Sequence, residues 1–244
     1  MLPGAEAERA TRYRSKDARA EFVTGAFLVR AICATITGTA FADAEVLRPC
    51  RGCDENHGPP KMVAAPSWSL SVTHSHGRVG VAVARHAQVG LDLERIAGDV
   101  DAALERAVSS QSEFELLRSA SGFVRHALFV RAWCRKEALV KAYGVGLGVP
   151  LSAVDVSGES PAIDSQRAVG LDVAPGACWL PLGCPWEGFA SALFSDVAAV
   201  LVDEVCLADM AALADQPDRL AQLIPLLPWT QSLPAQANRA PRPG

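Results

Sequence analysis

A membrane span is not expected in this chain. The longest run without Asp, Glu, Lys or Arg, Leu220 to Asn238, is broken by Pro225, Pro228 and Pro234. A helix of about 20 residues crossing a bilayer tolerates no such spacing. An apolar leader core is missing before Tyr13, so no secretory signal is expected. Seven cysteines make an odd set in which only Cys50 and Cys53 lie close together. A disulfide framework is therefore not expected, and reduced thiols in a cytoplasm are. Nineteen glycines and sixteen prolines among 244 residues are too few for a low-complexity chain. Positive charge is also short: the net formal charge is −4, which excludes a general nucleic-acid binder. Neither nucleic acid nor membrane is expected as a partner.

Lysine is the scarcest base. There are four, Lys16, Lys61, Lys136 and Lys141, and two of them stand within one and a half helical turns. Five bases (Arg9, Arg12, Arg14, Lys16, Arg19) face one acid near the N-terminus, and five more lie between Arg125 and Lys141 against Glu137. Residues Glu187 to Asp218 hold seven acids and no base. Two local basic clusters in an acidic protein suit a small anionic ligand, although solvated helix faces would look the same.

Periodicity predicts helices over Glu6–Ile36, Val100–Arg118 and Gly122–Tyr143, the last strongly amphipathic, with Gly38 and Gly144 as stops. Alternation predicts strands over Ser67–Thr73, Val79–Ala84 and Val89–Ile96, expected to form one compact sheet. Further short strands are predicted over Ala153–Val156, Ala168–Val173, Cys178–Leu182 and Phe189–Val202. Asp43–Pro60 reads as a loop. A helix followed by a small sheet thus occurs twice. The expected fold is α+β and pseudo-duplicated, each half a helix on a small, mostly antiparallel sheet, with the site in the cleft between halves. The halves would cover residues 1–98 and 99–208, and 209–244 would be a Pro-containing, partly disordered tail.

Asp92 and Glu94 stand at i and i+2 of a predicted strand, so their carboxylates share a face about 7 Å apart. Such a pair suits a hard cation, although wet strand faces carry charges by default. On the helix, Trp133, Glu137 and Val140 or Lys141 share a face. Glu137 and Lys141 form either an ordinary surface pair or a metal-and-phosphate pair. Ser71 to Gly77 places hydroxyls and imidazoles at a strand end, where turn amides also meet anions. A serine hydrolase is disfavoured, since no G-x-S-x-G occurs. Cys50, Cys53 and His57 make half a zinc site without a second half, and the loop is expected to be metal-free.

Taken in order, these pieces resemble a known family. An Arg-rich first helix, C-x-x-C-x-x-x-H-G, a T/S-H-S turn, G-x-D-x-E (Gly90, Asp92, Glu94) and W-x-x-K-E-A-x-x-K-A-x-G (Trp133–Gly144) resemble the larger, surfactin-synthetase-activating type of 4'-phosphopantetheinyl transferase. The resemblance covers roughly Arg9 to Val202. It implies transfer of phosphopantetheine from coenzyme A to a serine of an apo acyl or peptidyl carrier protein, with release of 3',5'-ADP, by a monomer. It also implies Mg2+ on Asp92, Glu94 and Glu137, and Lys141, helped by Lys136, on diphosphate oxygens. Thr73 and His74, with Lys16 and Arg19, would take the 3'-phosphate. Glu137 or Glu113 would accept the serine proton. Lys61 follows Pro59-Pro60 where the family reads H-G-K-P, so its phosphate contact is displaced. Two other classes compete: a coenzyme A-binding protein without transfer, and a zinc-loop interaction module.

Overall fold

The computed structural model describes residues 2–50, 58–180 and 182–197. The chain opens with α1 (Gly4–Thr11) and α2 (Lys16–Thr37). The single helix expected here is broken at Ser15, whose backbone is extended and whose side chain accepts the Ala18 amide. Gly38 ends α2 in the left-handed region, φ 69°. By length and mean hydropathy, 1.4 over its most apolar window, α2 passes as a spanning helix. Half of that window is buried inside the protein, as in a core helix. Gly25 lets the helix approach Val72, and Arg30 is buried against Glu6 of α1, Nη2 to Oε2 at 3.0 Å.

Two short strands, β1 (Val46–Leu47), inside the stretch expected to be loop, and β2 (Lys61–Met62), just after it, pair antiparallel. Next come β3 (Trp68–Ser75) and β4 (Arg78–Arg85), a hairpin turned by His76 (φ 48°) and Gly77 (φ 76°). Two positive φ angles in a two-residue turn match the right-handed strand twist. The α2 helix packs on this hairpin.

Strand β5 (Val89–Arg95) does not continue that sheet. It pairs antiparallel with β9 (Phe189–Ser195), which also pairs with β8 (Cys178–Leu180). Between β5 and β8 run α3 (Ala102–Val108), α4 (Gln111–Arg118), α5 (Gly122–Tyr143) and the short pair β6 (Val154–Asp155) with β7 (Ala162–Ile163). The one helix expected over 100–118 is two, because Ser110 and Glu113 form a capping box that starts α4 afresh. No strand forms over 168–173. The α5 helix has the expected bounds, but its C-terminal half is buried nearly all round: Ala138, Leu139, Val140 and Ala142 are all covered. It anchors the larger core with Phe194, Val154 and Val156.

The architecture is thus α+β and twofold in plan, α2 on β3–β4 and α5 on β5–β9–β8. Residues 1–98 contain a strand, β5, whose ladder belongs to the second sheet. The Cys50–His57 loop expected to be metal-free and the 209–244 tail lie largely or wholly outside the described residues.

Candidate active site

Gly90 decides how close β5 comes to α5. A Cβ at this position would run into the Ala138 carbonyl. With hydrogen in its place the strand lies against the helix, and the next outward residues, Asp92 and Glu94, meet Glu137 and Lys141. Lys141 Nζ stands 2.5 Å from Asp92 Oδ1, with Asp92 buried and Lys141 30% exposed. Burial first pushes Glu94 above the usual carboxylate range, and the Asp92 charge adds to this against the opposing bond from Ser75. Burial also raises Glu137, with Asp92 and Glu94 adding to it and Lys141 opposing. The three carboxylates therefore sense one another, though two come from a strand and one from a helix some forty residues on. Buried Cys134 sits beneath them, its thiol proton held by burial and then by the charges of Asp92 and Glu94.

The opposite edge of β5 is held by side chains. Ser69, Ser71 and Thr73 of β3 accept the amides of Val89, Leu91 and Leu93 at 3.0, 2.9 and 3.1 Å. A row of hydroxyls thereby replaces main-chain pairing at the seam between the two sheets. Thr73 Oγ1 also donates to Asp92 Oδ1 at 3.2 Å, and Ser75 Oγ to Glu94 Oε2 at 2.9 Å. Sequence reasoning passed over this row. Its signal was the alternation Ser69-x-Ser71-x-Thr73-x-Ser75 followed by a second strand of the same length.

Several expected site residues sit elsewhere. Lys136 is fully buried and donates to the carbonyls of Val108, Leu151 and Val154, while pairing with Glu113 Oε2 at 2.7 Å. Glu113 is 3% exposed and accepts the Ser110 and Val156 amides. Neither can reach a phosphate or a substrate serine, so both leave the chemistry and join the scaffold. Burial lowers the Lys136 pKa, against its pairing with Glu113. Thr73 is 4% exposed, and its one hydroxyl proton goes to Asp92, leaving none for a phosphate.

His74 is exposed, with Nδ1 3.1 Å from Glu21 Oε2. Glu21 also accepts the Gly77 amide at 2.5 Å. The first turns of α2, with exposed Lys16 and Arg19, are thereby tied to the hairpin turn. Lys61 is exposed on β2. A concavity of about 380 Å3 lined by Ser160, Ile163, Asp172 and Gly176 includes none of these residues.

Among the described residues, no three His, Cys, Asp or Glu side chains are placed as a ready metal cage. The donor set nevertheless fits Mg2+, which takes few carboxylate oxygens and leaves the remainder to substrate and water. Asp92 Oδ2 supplies the local observation: it is buried and has no hydrogen-bond partner.

A strand carboxylate pair facing a helix Glu and Lys across a glycine contact defines a class. Residues 88–178 match the family model of the 4'-phosphopantetheinyl transferase superfamily, and the match opens one residue before β5. Over this segment the chain is similar to that superfamily, and its G-x-D-x-E and W-x-x-K-E-A-x-x-K motifs lie within the match. It is 32% identical over 99 residues to the 4'-phosphopantetheinyl transferase psf-1 of Bacillus pumilus, covering 41% of this chain and 42% of that one. It is 28% identical over 151 residues to the 4'-phosphopantetheinyl transferase HetI of a Nostoc species, covering 60% and 61%. The matched part therefore spans less than two thirds of either relative. The holo-[acyl-carrier-protein] synthase of Thermotoga maritima shares 19% identity at a TM-score of 0.31, over 44% of this chain and 61% of that one.

Proposed function

We propose that the protein transfers the 4'-phosphopantetheine group of coenzyme A to a serine hydroxyl of an apo acyl or peptidyl carrier protein and releases 3',5'-ADP. The observation that carries this reading is the meeting of Asp92, Glu94, Glu137 and Lys141 at the β5–α5 contact. Asp92, Glu94 and Glu137 would hold Mg2+, which when bound supplies positive charge to a diphosphate.

The chain's own groups do the rest. Lys141, oriented by Asp92 and partly exposed, neutralises diphosphate oxygens as charge moves onto the departing phosphate. The serine Oγ bonds to the phosphorus that bears pantetheine, and the bond from that phosphorus to the bridging oxygen breaks. The bridging oxygen leaves with 3',5'-ADP. Glu137 takes the serine proton, directly or through water. Burial, which raises its proton affinity, suits it to that work. Lys16, Arg19 and His74 gather the 3'-phosphate, His74 with the ring nitrogen that does not face Glu21. Lys61, exposed on β2, remains an outer candidate for the same phosphate.

The test is incubation with coenzyme A, Mg2+ and a panel of apo carriers, read by intact mass. A gain of one phosphopantetheine group on a carrier serine supports the reading. Tight coenzyme A binding with no gain on any carrier would leave a binding protein in its place.

A further inference from the structure

Ser75 lies at the hairpin end of β3, 6% exposed. Its hydroxyl has two neighbours, Glu94 Oε2 at 2.9 Å and His76 Nδ1 at 3.0 Å. A hydroxyl carries one proton, and a carboxylate only accepts. The proton therefore goes to Glu94, and His76 must hold its own proton on Nδ1 and donate it to Ser75 Oγ. Two hydrogen bonds run in one direction, from an exposed ring through Ser75 to a half-buried carboxylate. Ser69, Ser71 and Thr73 each accept a β5 amide, and Ser75 instead donates to Glu94.

We infer that Ser75 is the positioning residue for Glu94: its hydroxyl fixes where the carboxylate points, so that Glu94 and Asp92 present oxygens to one divalent cation. This rests on the metal role given to those carboxylates above. A glutamate on a strand has three side-chain torsions to settle, and an outer partner that orients a ligating group is commonly worth about 10–100-fold in metal affinity. Neighbouring Thr73 orients Asp92 in the same way but also holds the Leu93 amide, so only at Ser75 is orientation separate from the seam.

The experiment follows binding of Mn2+ by its electron paramagnetic resonance signal, with and without coenzyme A, beside a melting curve. Ser75→Ala is expected to weaken Mn2+ binding about tenfold with little change in Tm, and Ser75→Thr to restore it. Ser69→Ala, in the same row but away from the carboxylates, should lower Tm and leave Mn2+ binding unchanged. Wild-type affinity in Ser75→Ala, with Mn2+ lost in Glu94→Gln, would overturn the role of Ser75 alone. A wild-type protein that binds no Mn2+, like Glu94→Gln, would overturn the metal reading and Ser75's role with it. Equal weakening in Ser69→Ala and Ser75→Ala would assign the effect to the seam and overturn positioning by Ser75.

Discussion

Lys136 and Lys141 are five residues apart on α5, which at about 100° per residue puts them roughly 140° apart around the helix. One is sealed in the core and the other reaches the carboxylates. Removing Lys136 leaves Glu113 as a buried charge without its partner. Lys136→Ala is thus expected to destabilise by about 3–5 kcal/mol in urea unfolding, whereas Lys141→Ala should lose transfer with a smaller loss of stability, because Lys141 is partly exposed, although its removal leaves Asp92 without its partner. Like charges meet at Glu94 and Glu137, and both carboxyls are raised by burial and by Asp92. Glu94→Gln and Glu137→Gln should each reduce turnover about a hundredfold while holding or raising Tm in metal-free buffer. Near-wild-type turnover in either would remove that residue from the site. Asp92→Asn differs, because it gives up an ion pair with Lys141 and should lower Tm as well. The motif spelling identified the residues that meet, but it did not distinguish the two lysines. The angular offset between them is present in the sequence and sends only one of the two toward Asp92.

Element by element, the bounds of α5 and the ends at Gly38 and Gly144 were legible, since apolar period and a left-handed stop are local properties. Helix breaks at Ser15 and Ser110 were legible in principle as cap residues. At Ser110 the glutamate expected as a proton acceptor, Glu113, is the capping residue. The partner of β5 was not legible. Alternation announces a strand and says nothing of which edge it joins, and the β9 partner lies about a hundred residues further on. Gly90 is the hinge of this arrangement, because the backbone of Ala138 occupies the space a side chain would need. Gly90→Ala should therefore push β5 off α5, with a loss of about 1–3 kcal/mol or more and a loss of transfer beyond what the stability change explains. Unchanged denaturant midpoints would show that the contact yields easily.

For the molecule as a whole, acid stability has an identifiable contributor. Burial works to raise Asp155, but bonds from Ser112, Ser157 and Ser110 outweigh it and bring the carboxyl down to about 2. A carboxylate depressed in the folded state adds stability that is fully present above its ordinary pKa, near 3.8, and is lost as pH falls through about 2. Asp155→Asn should lower stability at neutral pH and flatten the fall between about pH 4 and pH 2 in an acid titration followed by circular dichroism. A parallel fall in both proteins would show that Asp155 does not set this limb.

The hydroxyl seam also decides where the chain could be cut. A nick after residue 98 would send β5 away with a hairpin whose β3 strand bonds its amides through serine and threonine side chains, leaving β9 without its ladder partner. A nick in the turn at His86–Ala87, ahead of β5, would leave β5, α5, β8 and β9 on one fragment. The other fragment would then carry α2 and the β3–β4 hairpin, with a row of hydroxyls as its adhesive edge. Split reporters built at this turn should reassemble through that edge, and their affinity could be tuned one hydroxyl at a time without touching the main-chain ladder between β5 and β9.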